Sequence, residues 1–266
     1  MKQEEYPILE FDRSRRALIE PSEQLERIPG VGRCVLTFFQ EVIDRLRDEG
    51  RLRRIACLGS EMGDHPVWAL DGHRHPIGVF HPAITSAFAS SFLDELIALG
   101  FTTFVACGGA GVLRGDIAPG TVVVPTAAVR DEGASYHYLP PAREVEPTPE
   151  ALAVIEETLA AHGVRYLRGK TWTTDGIYRE TPEKIALRRS EGCPTVEMEA
   201  AGFFAVARFR GALFGQILYA GDDVSGDVWD RRGWDGRKET REELFAIATE
   251  ACLALGEGGD SSGGTP

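Results

Sequence analysis

Apolar segments of two different lengths and periods alternate along this chain. Such a chain buries them most readily by packing helices onto a sheet. The strand-like runs are RIACLGS (54–60), PVWAL (66–70), HPIGVF (75–80), FVACGGAGVL (104–113), TVVVPTAAV (121–129), YLRGKTWTT (166–174) and FGQILYAGDD (214–223). RALIE (16–20), stopped by Pro21, reads as a further short strand, and Asp71-Gly72 as the turn joining two of the others. Between them lie segments with helical spacing. CVLTFFQEVIDRLRDEG (34–50) closes on Gly50 and SAFASSFLDELIALG (86–100) on Gly100, both ordinary helix stops. PEALAVIEETLAAHG (149–163), TPEKIALRRSEG (181–192) and REELFAIATEACLALG (241–256) complete the set, while TVEMEAAGFFAVARFRG (195–211) begins extended and becomes helical.

No repeat or linker interrupts residues 16–256, so one α/β domain over 1–255 is expected, followed by a polar, disordered tail at 256–266. With 43 % hydrophobic residues the chain has material for a large core. No apolar run approaches the roughly 20 residues that cross a bilayer. The charged start, MKQEEYPILEFDRSRR, lacks a signal-peptide core, so a cytoplasmic protein is expected, without a membrane partner. A net charge of −12 with scattered arginines argues against nucleic acid, though not against a neutral nucleoside. Cys34, Cys57, Cys107, Cys193 and Cys252 form no CxxC pair and read as small hydrophobes. His73, His75 and His81 have no carboxylate or thiol at ligand spacing, so they read as a turn beside a strand and no metal is expected.

Four stretches carry chemistry. Gly108-Gly109-Ala110-Gly111 ends a strand, where glycines let backbone N–H groups approach an anion or a sugar; a tight turn is the plainer reading. The spacing is not GxGxxG, which disfavours a dinucleotide site. Glu197 and Glu199 stand two apart where strand becomes helix; one carboxylate suits a pair of sugar hydroxyls, or the helix dipole alone explains them. Asp222 and Asp223 follow an apolar strand, at the sheet edge where α/β enzymes keep their sites, and an Asx turn fits them equally well. The polar, aromatic loop 125–147 is long for a mere connection.

Taken in order, GGAG after a strand, GDIAPGTVVVPTAAVRDEGASYHY, TTDGIY, VEMEAAG and AGDD resemble the uridine and purine nucleoside phosphorylase family. The resemblance runs from about Ala17 to the last helix. It implies a single α/β domain with a mixed, twisted, partly barrel-like sheet flanked by helices, assembled as a homo-oligomer (dimer or hexamer). It also implies a nucleoside substrate, no organic cofactor, and phosphate or water as acceptor. On that resemblance Glu199 holds the ribose hydroxyls, with Glu197 beside it, and Met198 packs under the sugar. Asp222 is the general acid, Gly108 and Gly109 border the nucleophile, and Ile177 and Tyr178 line the base.

This chain departs from the family where phosphate is bound by arginines. Glu23, Glu61 and Ala106 are matched to those places, and carboxylates repel a dianion. Hydrolytic relatives carry glutamates in the turn after the first strand, so Glu20 and Glu23 are expected to activate water. Arg130 and Arg179 are the alternative anion ligands, and a nucleoside-binding protein without catalysis is the alternative of another class.

Overall fold

The computed structural model describes residues 2–73 and 76–255. In chain order its elements begin with α1 (Pro21–Gln24), β1 (Arg33–Thr37), α2 (Gln40–Asp48), β2 (Leu52–Ser60), β3 (Gly63–Leu70), β4 (Ile77–Phe80) and α3 (Ser86–Leu99). Then come β5 (Thr103–Val112), β6 (Val122–Asp131), α4 (Ser135–Tyr138), β7 (Glu144–Val145), α5 (Pro149–Ala161) and β8 (Tyr166–Thr174). The last are α6 (Pro182–Ser190), β9 (Thr195–Glu197), α7 (Ala200–Arg210), β10 (Leu213–Asp223) and α8 (Lys238–Leu255).

All ten strands form one mixed sheet in the order β10-β6-β8-β9-β5-β1-β4-β3-β2, with β7 on β6. A second pairing of β10 with β5 bends half of it into a closed ring of β5, β10, β6, β8 and β9, as the barrel-like expectation required. Closure leaves those strands without free edges. Helices cover both faces. On one side α2, α5 and α8 bury Val42, Ile155, Leu244 and Ala248; on the other α3 and α7 bury Phe92, Leu96, Phe203 and Phe204. Phe104, Phe203 and Phe214 stack across the second interface.

Four readings of the sequence need correction. RALIE (16–20) is not a strand: Leu18 and Ile19 are exposed on an irregular segment. The first strand is β1, inside the run taken as one helix over 34–50. Cys34, Val35 and Leu36 are wholly buried because β1 lies between β4 and β5 in parallel register with both. A strand covered on two faces carries no alternation to betray it. The glycines 108–111 are not a turn either, for β5 continues through them and pairs with β10. Cys57 is exposed, unlike the other four cysteines. The expected tail (256–266) and His75 lie outside the described residues.

Candidate active site

A cavity of about 310 Å³ opens where β1, β4, β5, β9 and β10 end. This is the carboxyl edge of the parallel strands, where α/β folds present their loops. Its floor is β5. Gly108 is needed because a Cβ there would stand 2.8 Å from the Phe38 ring, and at Gly109 one would stand 3.1 Å from the Tyr219 ring. Phe38, on the turn that follows β1, rests edge-on against His81 with ring centroids 6.0 Å apart. The turn after the first strand is thus aromatic.

Glu197 and Glu199 divide their work at the start of α7. Glu197 accepts from the Thr173 hydroxyl (2.6 Å) and from the backbone N–H groups of Glu199 (2.8 Å) and Ala200 (2.6 Å). That carboxylate closes the unsatisfied end of the helix. Glu199 accepts one bond, from the Thr85 N–H at 2.7 Å, and also borders the cavity. Thr85 (φ 81°) and Ala83 (φ 61°) both hold a left-handed backbone that L side chains resist. The strain delivers the Thr85 amide to Glu199. Burial holds both carboxyls well above the ordinary carboxylate range, and for Glu199 the charge of Glu197 adds to it.

Next on the wall, β10 delivers Asp222 and Asp223. Successive residues of an extended chain diverge. Asp222 borders the cavity and accepts from the Trp229 indole N–H at 2.6 Å. Asp223 turns away to pair with Arg232 and to accept from the Ser225 N–H at 2.8 Å. Beside Asp222 stands Glu180, half-buried and without a hydrogen-bond partner among the described residues. Burial first, and then the charge of Asp222, raise its carboxyl to about 7.

A family model described as "Phosphorylase superfamily" matches residues 56–255. The chain belongs to the phosphorylase superfamily. It is similar to a guanosine phosphorylase of Halorubrum lacusprofundi, 28 % identical over 220 residues that cover 78 % of this chain and 91 % of the relative. A uridine phosphorylase of Thermococcus kodakarensis is 36 % identical over 202 residues, 68 % of each chain. Among solved structures, an AMP nucleosidase from Bacteroides thetaiotaomicron superposes with a TM-score of 0.71 at 22 % identity, covering 90 % of this chain and 94 % of the other; that likeness speaks for the fold.

Within this superfamily member the residues singled out by sequence fall into two groups. Gly109, Ile177, Glu197, Met198, Glu199 and Asp222 border the cavity, and Gly108 lies under the Phe38 ring. The others lie elsewhere. Because the first strand is β1, the turn holding Glu20 and Glu23 is not the turn after it. Glu20 binds Arg210 and the Ala17 N–H, and Glu23 pairs with Arg16. Glu61 is exposed at the β2–β3 turn, and Ala106 is fully buried in β5. Arg130 is 5 % exposed and bound to the Ser135 hydroxyl and the carbonyls of Pro140 and Leu139, which fastens the 130–140 loop. Tyr178 and Arg179 are exposed beside the cavity mouth, not inside it.

Phe38, Glu180, Gln216 and Arg241 are among the bordering residues that escaped the sequence reading. Among the described residues Arg241 is the one arginine on the cavity wall, and it donates to Glu41 (2.6 Å) and to the Tyr219 hydroxyl (3.1 Å). Gln216 is 2 % exposed and its amide oxygen has no partner among the described residues. Among the described residues no group of three His, Cys, Asp or Glu could hold a metal ion, and no helix is long and apolar enough to cross a membrane.

Proposed function

We propose that this protein is a nucleosidase, releasing the base of a nucleoside with water, not phosphate, as the acceptor. One observation carries the choice of acceptor. The turn after β1, where phosphorolytic relatives are expected to present an arginine, presents Phe38, whose ring covers Gly108. The strand position expected to carry a second arginine is Ala106. Arg241 is committed to Glu41, and the remaining charged groups on the wall are the carboxyls of Glu180, Glu197, Glu199 and Asp222. None of them offers a phosphate dianion a cation, and each repels it once ionised.

The same wall suits the sugar cation that develops as the C1′–N bond stretches. Glu199 accepts from the ribose hydroxyls and Met198 packs beneath the ring. Carboxyls near the anomeric carbon favour its growing positive charge. At the cavity floor, the unpartnered Gln216 oxygen is an acceptor for a neutral donor such as water, and an orphaned buried acceptor gains from such a partner.

The test is chromatography of the sugar product. Base should appear in phosphate-free buffer together with free ribose, and millimolar phosphate should leave the rate within about twofold. Strict dependence on phosphate with ribose 1-phosphate as product would overturn the reading. It would favour phosphorolysis, the activity in the names of the guanosine and uridine phosphorylase relatives, with the cation supplied by a neighbouring subunit. A nucleoside recovered intact after prolonged incubation would favour a binding protein.

A further inference from the structure

We infer that Glu180 supplies the proton to the departing base and that Asp222 stands beside it as a hydrogen-bond acceptor, a pair that fits a 6-aminopurine. The inference rests on the nucleosidase reading and extends it. Three features of the cavity lead to it.

First, Asp222 is already engaged as an acceptor. The indole N–H of Trp229 is a donor only, and it meets Oδ2 of Asp222 at 2.6 Å. The indole occupies Oδ2 and leaves Oδ1 to accept from a ligand. Second, Glu180 shares the wall with Asp222 and has no hydrogen-bond partner among the described residues. Among the described residues no arginine or lysine is paired with it. The other acids and bases on the cavity wall are His81, Glu197, Glu199, Asp222 and Arg241, and the last is neutralised by Glu41. Burial together with the negative charge of Asp222 keeps the Glu180 proton in place to about neutral pH. Third, both groups border the same cavity as Met198 and Glu199, so a nucleoside whose sugar meets Glu199 has its base within the space that they line.

One donor beside one acceptor is a pattern that purines distinguish. Adenine offers an acceptor at N7 and a donor at the 6-amino group, whereas guanine and other 6-oxopurines offer two acceptors. Protonated Glu180 would donate to N7 while Asp222 accepts from the amino group. A 6-oxo group would instead set a carbonyl oxygen against the Asp222 carboxylate. In the step itself, the C1′–N9 bond breaks and its electron pair goes to the base. The Glu180 proton passes to N7, so the base leaves neutral. Water adds to C1′ and releases one proton, which restores Glu180 through solvent.

The test compares wild type, Glu180→Gln and Asp222→Asn on adenosine, inosine and p-nitrophenyl riboside in phosphate-free buffer. Nitrophenolate leaves without protonation, so it reports every contribution except the acid. Glu180→Gln should lose about 100-fold or more in kcat on adenosine, the range of general acids. Its loss on the nitrophenyl riboside should be smaller by at least about tenfold. Wild type should prefer adenosine to inosine, and Asp222→Asn, which replaces an acceptor-only oxygen pair by an amide that can donate, should narrow or reverse that preference. Equal losses of Glu180→Gln on both leaving groups would show a structural role and overturn the assignment, as would a leaving-group signature found in Asp222→Asn and missing from Glu180→Gln. A wild type that prefers inosine would overturn the 6-aminopurine class. A wild type that releases no base from any nucleoside would instead sink the nucleosidase reading itself.

Discussion

Two acid-rich cavities lie on this molecule, and they treat their carboxylates in opposite ways. Beneath the N-terminal segment, a hollow bordered by Glu20, Asp94, Tyr138 and Arg210 has both of these acids answered by the arginine, while Glu95 at its edge has no partner among the described residues. Arg210 grips Asp94 with two nitrogens (2.7 and 2.9 Å) and reaches Glu20 at 3.2 Å. The Tyr138 hydroxyl donates to Asp94 at 3.1 Å, and the Ala17 N–H holds Glu20. That backbone bond, with Arg210 behind it, keeps the Glu20 carboxyl below its usual range. In the cavity over β5, Glu180 and Glu199 have no arginine, and both carboxyls are pushed upward. The N-terminal hollow is the larger of the two, yet its Glu20 and Asp94 are matched internally by Arg210. Unmatched charge facing space, more than volume, marks where a substrate is received.

The largest effect expected from this contrast falls on the unmatched side. Glu199→Ala removes the acceptor for the ribose hydroxyls and should cost on the order of 3 kcal/mol of transition-state stabilisation, roughly 150-fold in kcat/KM. Its circular dichroism spectrum and melting temperature should stay near wild type, because a single backbone bond, from Thr85, is lost. Wild-type turnover in this variant would remove Glu199 from the site and erase the distinction.

On the matched side the damage should be to stability. Arg210→Leu leaves Asp94 buried with one neutral donor, the Tyr138 hydroxyl, and Glu20 with the Ala17 amide. Breaking a buried pair from one end costs several kcal/mol. Since Arg210 keeps some solvent contact, about 2–3 kcal/mol is expected in urea unfolding. Turnover per folded molecule should hardly change. A large fall in kcat at full folding would make the N-terminal hollow part of the chemistry.

Proton linkage sharpens the comparison further, because the two cavities carry opposite signs. A carboxyl whose folded pKa is raised contributes stability below its unfolded value, near 4.5, and loses it as pH climbs through the raised value. Glu199 is such a group. Glu20, lowered on folding, contributes above its unfolded value and loses that contribution on acidification. Glu199→Gln should therefore melt close to wild type at pH 5 and increasingly above it toward pH 8. A gap that is constant over that range would mean that Glu199 is not held protonated by its surroundings.

Some of this contrast was readable in the sequence and some was not, for physical reasons. VEMEAAG and AGDD announce themselves because acids directly beside apolar, small residues are rare where a core must be built. Both stretches reach the cavity. The run CVLTFFQEVIDRL hides a strand and a helix back to back, since a strand buried on both faces has the same unbroken apolar text as a helix start. Misplacing that first strand carried Glu20 and Glu23 to the wrong turn and concealed Phe38 in the right one. Glu180 lies in RETPEK, where one more acid among polar residues carries no local mark. Its meaning comes from a neighbour 42 positions away, Asp222, which only the fold brings to the same wall. Arg241 is similar: a helix-start arginine by sequence, a buried partner of Glu41 and Tyr219 in space.

The smallest expected effect belongs to the two glutamates that the sequence offered as water activators. Glu23 pairs with Arg16 at 2.6 Å, but both side chains are at least half exposed, and exposed ion pairs contribute roughly 0–1 kcal/mol. Glu23→Gln should alter neither melting by more than about 2 °C nor base release by more than about twofold. Glu20→Gln should weaken the Arg210 cluster slightly and lower stability, with kcat again within about twofold. Both variants are to be assayed beside wild type on the same nucleoside in phosphate-free buffer, at several protein concentrations. A tenfold or greater loss of kcat in a folded variant would contradict the separation of the two cavities within one chain. If that loss followed the concentration at which the protein associates, the N-terminal segment of one copy would be acting at the cavity of another. Glu20 and Glu23 would then regain the role of activating water, now across a subunit boundary.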